Sequence, residues 1–210
     1  MDELDLLKKD WKKTNTIFKE VSELELYKML HKSSSSIVQW ILIFSIGEII
    51  LWTAISFYSS TDDYLKSINH PELEIYFDAI SIFNYVISIG FIYFFYKKYR
   101  QISTVSSTKK LMNSILRTRK IVRLYVKYNL FMIVFGMLLG IFTAFTYNPA
   151  IVGMKEKMQS ESSMMAGVIV GVVIMTSIIV GLFWLFYRLV YGRLTRKLHT
   201  NYKELKRIEM

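Results

Sequence analysis

Three histidines, His31, His70 and His199, are the first residues to weigh for chemistry, because imidazole serves both as a metal ligand and as a general base. None lies inside an apolar run, and no two stand three or four residues apart, the spacing that puts two ligands on one helix face. The chain has no Cys, so it can form no thiolate metal site, thiol nucleophile or internal disulfide. No G-x-S-x-G, H-E-x-x-H, Walker or G-x-G-x-x-G pattern occurs. We therefore expect no catalytic residue, metal or cofactor, and a protein that is not an enzyme.

Glu48 is the residue whose placement needs a reason. It falls inside an apolar run, where an acid at mid-membrane costs about 2.5–3.5 kcal/mol. Desolvation in hydrocarbon favours the neutral form of an acid. Glu48 is 12 residues from Ser36 and Asn84 is 12 from Tyr96, so equal rise per residue puts them at one level. Thr176 and Ser177 fall near that level, and Ser81, Asn84 and Ser88 form a stripe at i, i+3, i+7. The expected polar layer is Glu48, Asn84, Ser88, Thr176 and Ser177, with Asn84 as the hydrogen-bond partner of Glu48. Two readings stay open: a structural layer that fixes helix register, or a proton- or cation-responsive site.

Small residues supply a second pattern. Gly136 and Gly140 stand four apart, as do Gly167 and Gly171, and Gly181 follows Ser177 at the same interval. Small-xxx-small repeats allow close backbone approach between helices in lipid, so these glycines are the expected packing seam. Near the start, Leu4, Leu7 and Trp11 recur at i, i+3, i+7 among lysines, an amphipathic stripe that could dock a partner or lie on a membrane. Ser22 and Glu25 suggest the cap of a second short helix, and Ser33–Ser36 is expected to break the chain before the first apolar run.

The elements that must hold these residues follow from the segregation of composition. The 210 residues are 52% hydrophobic and 21% charged, which coexist only if the two kinds are kept in separate blocks. Four apolar runs, about 37–58, 76–96, 124–147 and 164–191, are each long enough to cross ~30 Å of hydrocarbon. This excludes a soluble globular domain, a disordered chain and a disulfide scaffold. Both prolines, Pro71 and Pro149, fall between runs. The predicted fold is all-α, an integral membrane four-helix bundle with amphipathic helices at the N-terminus, in the central loop and at the C-terminus. Its parts are an arm at 1–35, a four-span domain at 36–192 containing a basic loop at 97–123, and a basic tail at 193–210.

Orientation follows from the cations. Of the 27 Lys and Arg, 24 lie in the arm, in the stretch 97–127 and in the tail from Arg188, leaving only Lys66, Lys155 and Lys157 between. The positive-inside rule then places both termini in the cytoplasm of an inner-membrane, multi-pass protein whose first span is uncleaved. Basic juxtamembrane helices predict a bilayer with anionic headgroups as partner. A homo-oligomer and a cytoplasmic protein are further candidate partners; nucleic acid is not expected, since orientation already accounts for the charge. The expected function is a non-enzymatic membrane scaffold or regulator acting through its cytoplasmic segments. The alternative is a small channel or transporter built from several copies around the Glu48 layer, with a membrane-embedded enzyme third.

The stretches D-E-L-D-L-L-K-K-D-W-K-K at 2–13 and F-K-E-V-S-E-L-E-L-Y-K-M-L-H-K-S-S-S-S at 18–36, followed by four spans, resemble uncharacterised Bacteroidota-type inner-membrane proteins. The resemblance implies one of two activities. An oxygenase of the β-carotene monooxygenase kind would need a cluster of His ligands, which this chain lacks. A membrane-bound regulator similar in layout to anti-sigma factors would hold a cytoplasmic factor.

Overall fold

The computed structural model describes residues 23–58, 61–105, 107–149, 151–153 and 162–209. Four long helices carry the fold: α1 (Glu23–Tyr58), α3 (Glu74–Thr104), α4 (Thr108–Tyr147) and α5 (Ser162–Glu209). A short α2 (Thr61–Ser67) and a 3-10 turn (Pro71–Leu73) link α1 to α3. All four long helices are long and apolar enough to cross a membrane. α1 packs against α3 and α5, and α4 packs against the same two, so consecutive helices are neighbours in an up-and-down four-helix bundle. The leading stripe Leu4, Leu7 and Trp11 lies outside the described residues.

The helices outrun the apolar runs at one end, called here the basic end. α4 has 40 residues and α5 has 48, about 60 and 72 Å at 1.5 Å per residue. The stretch 97–123 is therefore no irregular loop. It holds the last turns of α3 and the first turns of α4, which end at an extended Val105 and start from an extended Ser107. Leu111, Ile115 and Val122 explain this, because their helical spacing puts all three in the core. Leu198 and Leu205 do the same for α5.

The expected break at Ser33–Ser36 is absent, and α1 runs through it. Serine is only a modest helix former, some tenths of a kcal/mol per residue behind alanine. Asn201 on α5 offsets that deficit, since its Nδ2 donates to Ser33 Oγ and Ser34 Oγ, each at 3.0 Å. Tertiary contact overrides the local preference.

The core is not spread along the bundle. Val38 and Ile41 of α1, Phe95 and Ile102 of α3, Leu111, Ile115 and Val122 of α4, and Leu198 and Leu205 of α5 are buried together, all toward the basic end. Toward the other end the helices expose apolar faces, and none of the most apolar 18-residue window of α5 is buried. This overturns the expected glycine seam. A Cβ added at Gly136, Gly140, Gly167, Gly171 or Gly181 would meet nothing within 4 Å. The repeats lie where the helices stand apart, so they bring no two backbones of this chain together.

At that far end α2 stops in a Schellman motif. His70 N donates to Leu65 O at 3.0 Å and Asn69 N to Lys66 O at 3.1 Å. Asn69 takes φ 61°, the left-handed position that asparagine tolerates. The turn sets His70 against Tyr147 of α4, ring centroids 4.4 Å apart, and lets its Nδ1 meet Glu72 Oε1 at 2.6 Å.

Candidate functional site

Each long helix buries one stripe, and the stripes end together. On α1 the buried positions run Ile41, Ser45, Glu48, at i, i+4, i+7. On α4 the stripe passes through Thr118 and Val122 to Tyr125, and on α5 it begins at Tyr187 and Tyr191. Glu48 and the three tyrosines therefore close the packed core where it gives way to open helices.

All three phenols donate to Glu48. Tyr125 Oη donates to Oε2 at 2.7 Å, Tyr191 Oη to the same oxygen at 3.2 Å, and Tyr187 Oη to Oε1. A carboxylate has two oxygens and about four lone-pair directions, so it accepts all three at once. The tyrosines are held by aromatic contacts of their own. Tyr125 meets Phe91, Phe95 and Tyr191 edge to face, with centroids at 5.3, 5.4 and 5.6 Å. The knot ties α1 to α4 and α5.

The sequence-predicted layer comes together only in part. Asn84 is not the partner of Glu48; its Oδ1 accepts from Tyr128 Oη at 2.9 Å. Asn84 and Ser88 do share a cavity with Glu48, one of about 420 Å³ that also touches Trp52, Asn129 and Phe183. Thr176 and Ser177 are elsewhere. They line an outer groove with Leu130 and Trp184, and Ser177 Oγ donates back to Val173 O at 2.7 Å.

The depth of Glu48 also differs from expectation. Its phenol partners sit beside cations in sequence, Tyr125 between Arg123 and Lys127 and Tyr187 next to Arg188. Glu48 is thus level with the basic boundary of the apolar stretches of α4 and α5, not with their middle. The cause is a register offset: Ile37, Val38 and Ile41, at the start of the apolar run of α1, pack into the basic-end core. The edges of apolar runs are not aligned between helices.

The cavity is mostly apolar, with Ile80, Met132, Ile133 and Ile179 beside the polar edge formed by Ser81, Asn84, Ser88 and Asn129. Trp52 stacks on Phe183 at 5.5 Å and walls the α1–α5 side. Among the described residues, no group of three or more His, Asp or Glu could hold a metal ion. The arrangement can lock helices together through one acid, and it can present that acid to a small occupant.

A second interhelical pair lies beyond the apolar stretches at the basic end. Arg119 Nη1 meets His199 Nδ1 at 2.8 Å. Arginine can only donate, so Nδ1 is the accepting, unprotonated nitrogen. The Arg119 charge, then burial and Lys203, hold the His199 imidazole below its ordinary value.

The tyrosines were missed by sequence reasoning, which looked for the polar layer around Glu48 only among Asn84, Ser88, Thr176 and Ser177. A signal existed: Tyr187 and Tyr191 are four apart, one helix face, and a buried phenol needs a partner.

Residues 24–210 match a family described as a domain of unknown function, DUF8845, and the chain belongs to that family. No curated protein and no solved structure matches it.

Proposed function

We propose that this protein is a non-enzymatic regulator or scaffold of the inner membrane, spanning it four times with both termini in the cytoplasm. Its output surface is the basic end, which under this reading projects into the cytoplasm next to anionic headgroups. The observation that carries the proposal is the placement of the packed core. A membrane anchor needs only the apolar stretches, yet here nearly half of the packed core, Leu30, Ile102, Leu111, Ile115, Val122, Leu198 and Leu205, belongs to helix extensions beyond them. A rigid protruding bundle serves contact with a cytoplasmic protein. The Glu48 knot joins that bundle to the spans, so occupancy of the cavity and the shape of the basic end are linked through Tyr125, Tyr187 and Tyr191.

The test is photo-crosslinking in cells from exposed basic-end positions such as Lys203, with Tyr187→Phe/Tyr191→Phe as the comparison. A stoichiometric soluble protein whose yield changes in the double variant supports the reading. Crosslinks to lipid and self alone refute it. A reporter fused at Lys155 should behave as non-cytoplasmic, and a cytoplasmic signal there would overturn the orientation.

The cavity favours a second reading, an oligomeric channel or transporter in which Glu48 and the polar edge of α3 contact the solute. Proteoliposome flux abolished by Glu48→Gln, in a variant that stays folded, would put this reading first.

A further inference from the structure

We propose that the outer groove between α4 and α5 is a binding site for one anionic phospholipid, headgroup at the basic boundary and an acyl chain along the apolar stretch. Two adjoining hollows make the groove. The lower, about 290 Å³, carries Arg123 and Lys127 of α4 and Arg188 of α5. The upper, about 450 Å³, is lined by Val180 and Gly181 with Thr176 and Ser177. Leu130 and Trp184 line both, so the two lie end to end along the same pair of helices.

The charges are placed for a phosphate. Arg123 and Lys127 stand four apart on one face of α4, and Arg188 faces them across the groove. The described salt bridges involve none of the three. Arg188 instead lies over the Trp184 ring, 4.9 Å from its centroid, which holds the guanidinium at the groove while leaving its donors free. Basic pockets between helices at this depth are the kind that take anionic headgroups.

The upper hollow supplies what a free phosphate would not use. Gly181 leaves room above the cations, since an added Cβ there meets nothing within 4 Å. The hydroxyl of Ser177 is turned back onto its own helix, so the hollow offers an acyl chain little unpaired polarity. Charge at one end and an open apolar slot at the other match an anionic lipid and fit neither a soluble phosphate nor a zwitterionic lipid equally well.

The inference rests on reading the four helices as membrane spans. The full chain would be reconstituted in nanodiscs, extracted, and weighed by native mass spectrometry after exposure to mixed phosphatidylglycerol and phosphatidylcholine. Retention of one phosphatidylglycerol per chain, at least tenfold over phosphatidylcholine, is expected. The triple variant Arg123→Gln/Lys127→Gln/Arg188→Gln should lose about tenfold, while Lys28→Gln/Lys203→Gln/Lys206→Gln should not. Gly181→Leu fills the upper hollow with all charges kept, and it should also lower retention severalfold while thermal melting stays unchanged. Equal retention of phosphatidylcholine, equal effects of the two triple variants, no effect of Gly181→Leu, or displacement by inorganic phosphate would each overturn the site. A chain that never enters the nanodisc defeats the spanning reading instead, so the two failures are distinct.

Discussion

Tyr125 of α4 and Tyr191 of α5 meet edge to face and donate to the same atom, Oε2 of Glu48. One acid thus sets the spacing of two helices that approach each other through aromatic edges. With Tyr187 on the other oxygen, the carboxyl group is the common acceptor of three separately anchored phenols.

Removal of one donor should therefore be milder than removal of the acceptor. Tyr187→Phe is expected to destabilise by about 1–2 kcal/mol, between the ~0.6 typical of interhelical bonds in membranes and the ~3 of charge-assisted ones. Glu48→Leu should exceed any single Tyr→Phe change, because it strands three phenols together. Reversible unfolding in mixed micelles measures both. A neutral Glu48→Leu would mean that the knot holds nothing.

The lopsided core predicts a lopsided sensitivity. Leu198→Ala, at a fully buried position of the basic end, should lose about 2–5 kcal/mol. Ile174→Ala, on an exposed stretch of the same helix, should stay within about 0.5 kcal/mol. Equal losses in the same unfolding assay would show that the apolar halves pack as tightly as the extensions.

At the glycines the expectation is reversed from that of a seam. Gly171→Ala adds a methyl group into open space and removes backbone freedom, so it should be neutral or stabilising by up to about 1 kcal/mol. A loss of stability or of oligomeric mass in the purified protein would reveal a second copy against that face.

The Arg119–His199 contact gives the basic end a pH dependence with a definite sign. The folded imidazole titrates below its ordinary value of ~6.5, so the fold favours the neutral ring. Its contribution is complete above about pH 6.5 and is lost as pH falls through the lower folded value. Amide exchange in the last turns of α5 should accelerate between pH 7.5 and pH 5.5 beyond the intrinsic chemical change. His199→Gln should flatten that extra term; an unchanged profile in the variant would assign it to another group.

Much of this architecture was legible in the sequence, and the reason is physical. Apolar runs of some twenty residues have few options but a helix, and the four runs became the four long helices. Glu48 stood out because an acid among Ile and Phe demands partners. Its partners did not stand out, because counting rise along each run gives depth only if the runs start level. Ile37, Val38 and Ile41 break that assumption by packing in the basic-end core. Direction was equally hidden: Asn84 lines the same cavity as Glu48, but its oxygen faces Tyr128 and not the acid. The serine run misled for a third reason, since Asn201, the residue that makes it helical, lies at the far end of the chain.

The one-sided core has a mechanical consequence. A bundle gripped along its whole length can change shape only by repacking its interior. This one is clamped at the basic end, and its other halves meet across a hollow instead of interlocked side chains. Below Glu48 the helices behave as a vise; above it they are held by sparser contacts, among them Trp52 on Phe183 and His70 on Tyr147. Spreading their tips would widen the hollow while disturbing few residues of the main core, so the room around the carboxyl is the part of the fold least fixed by its own packing.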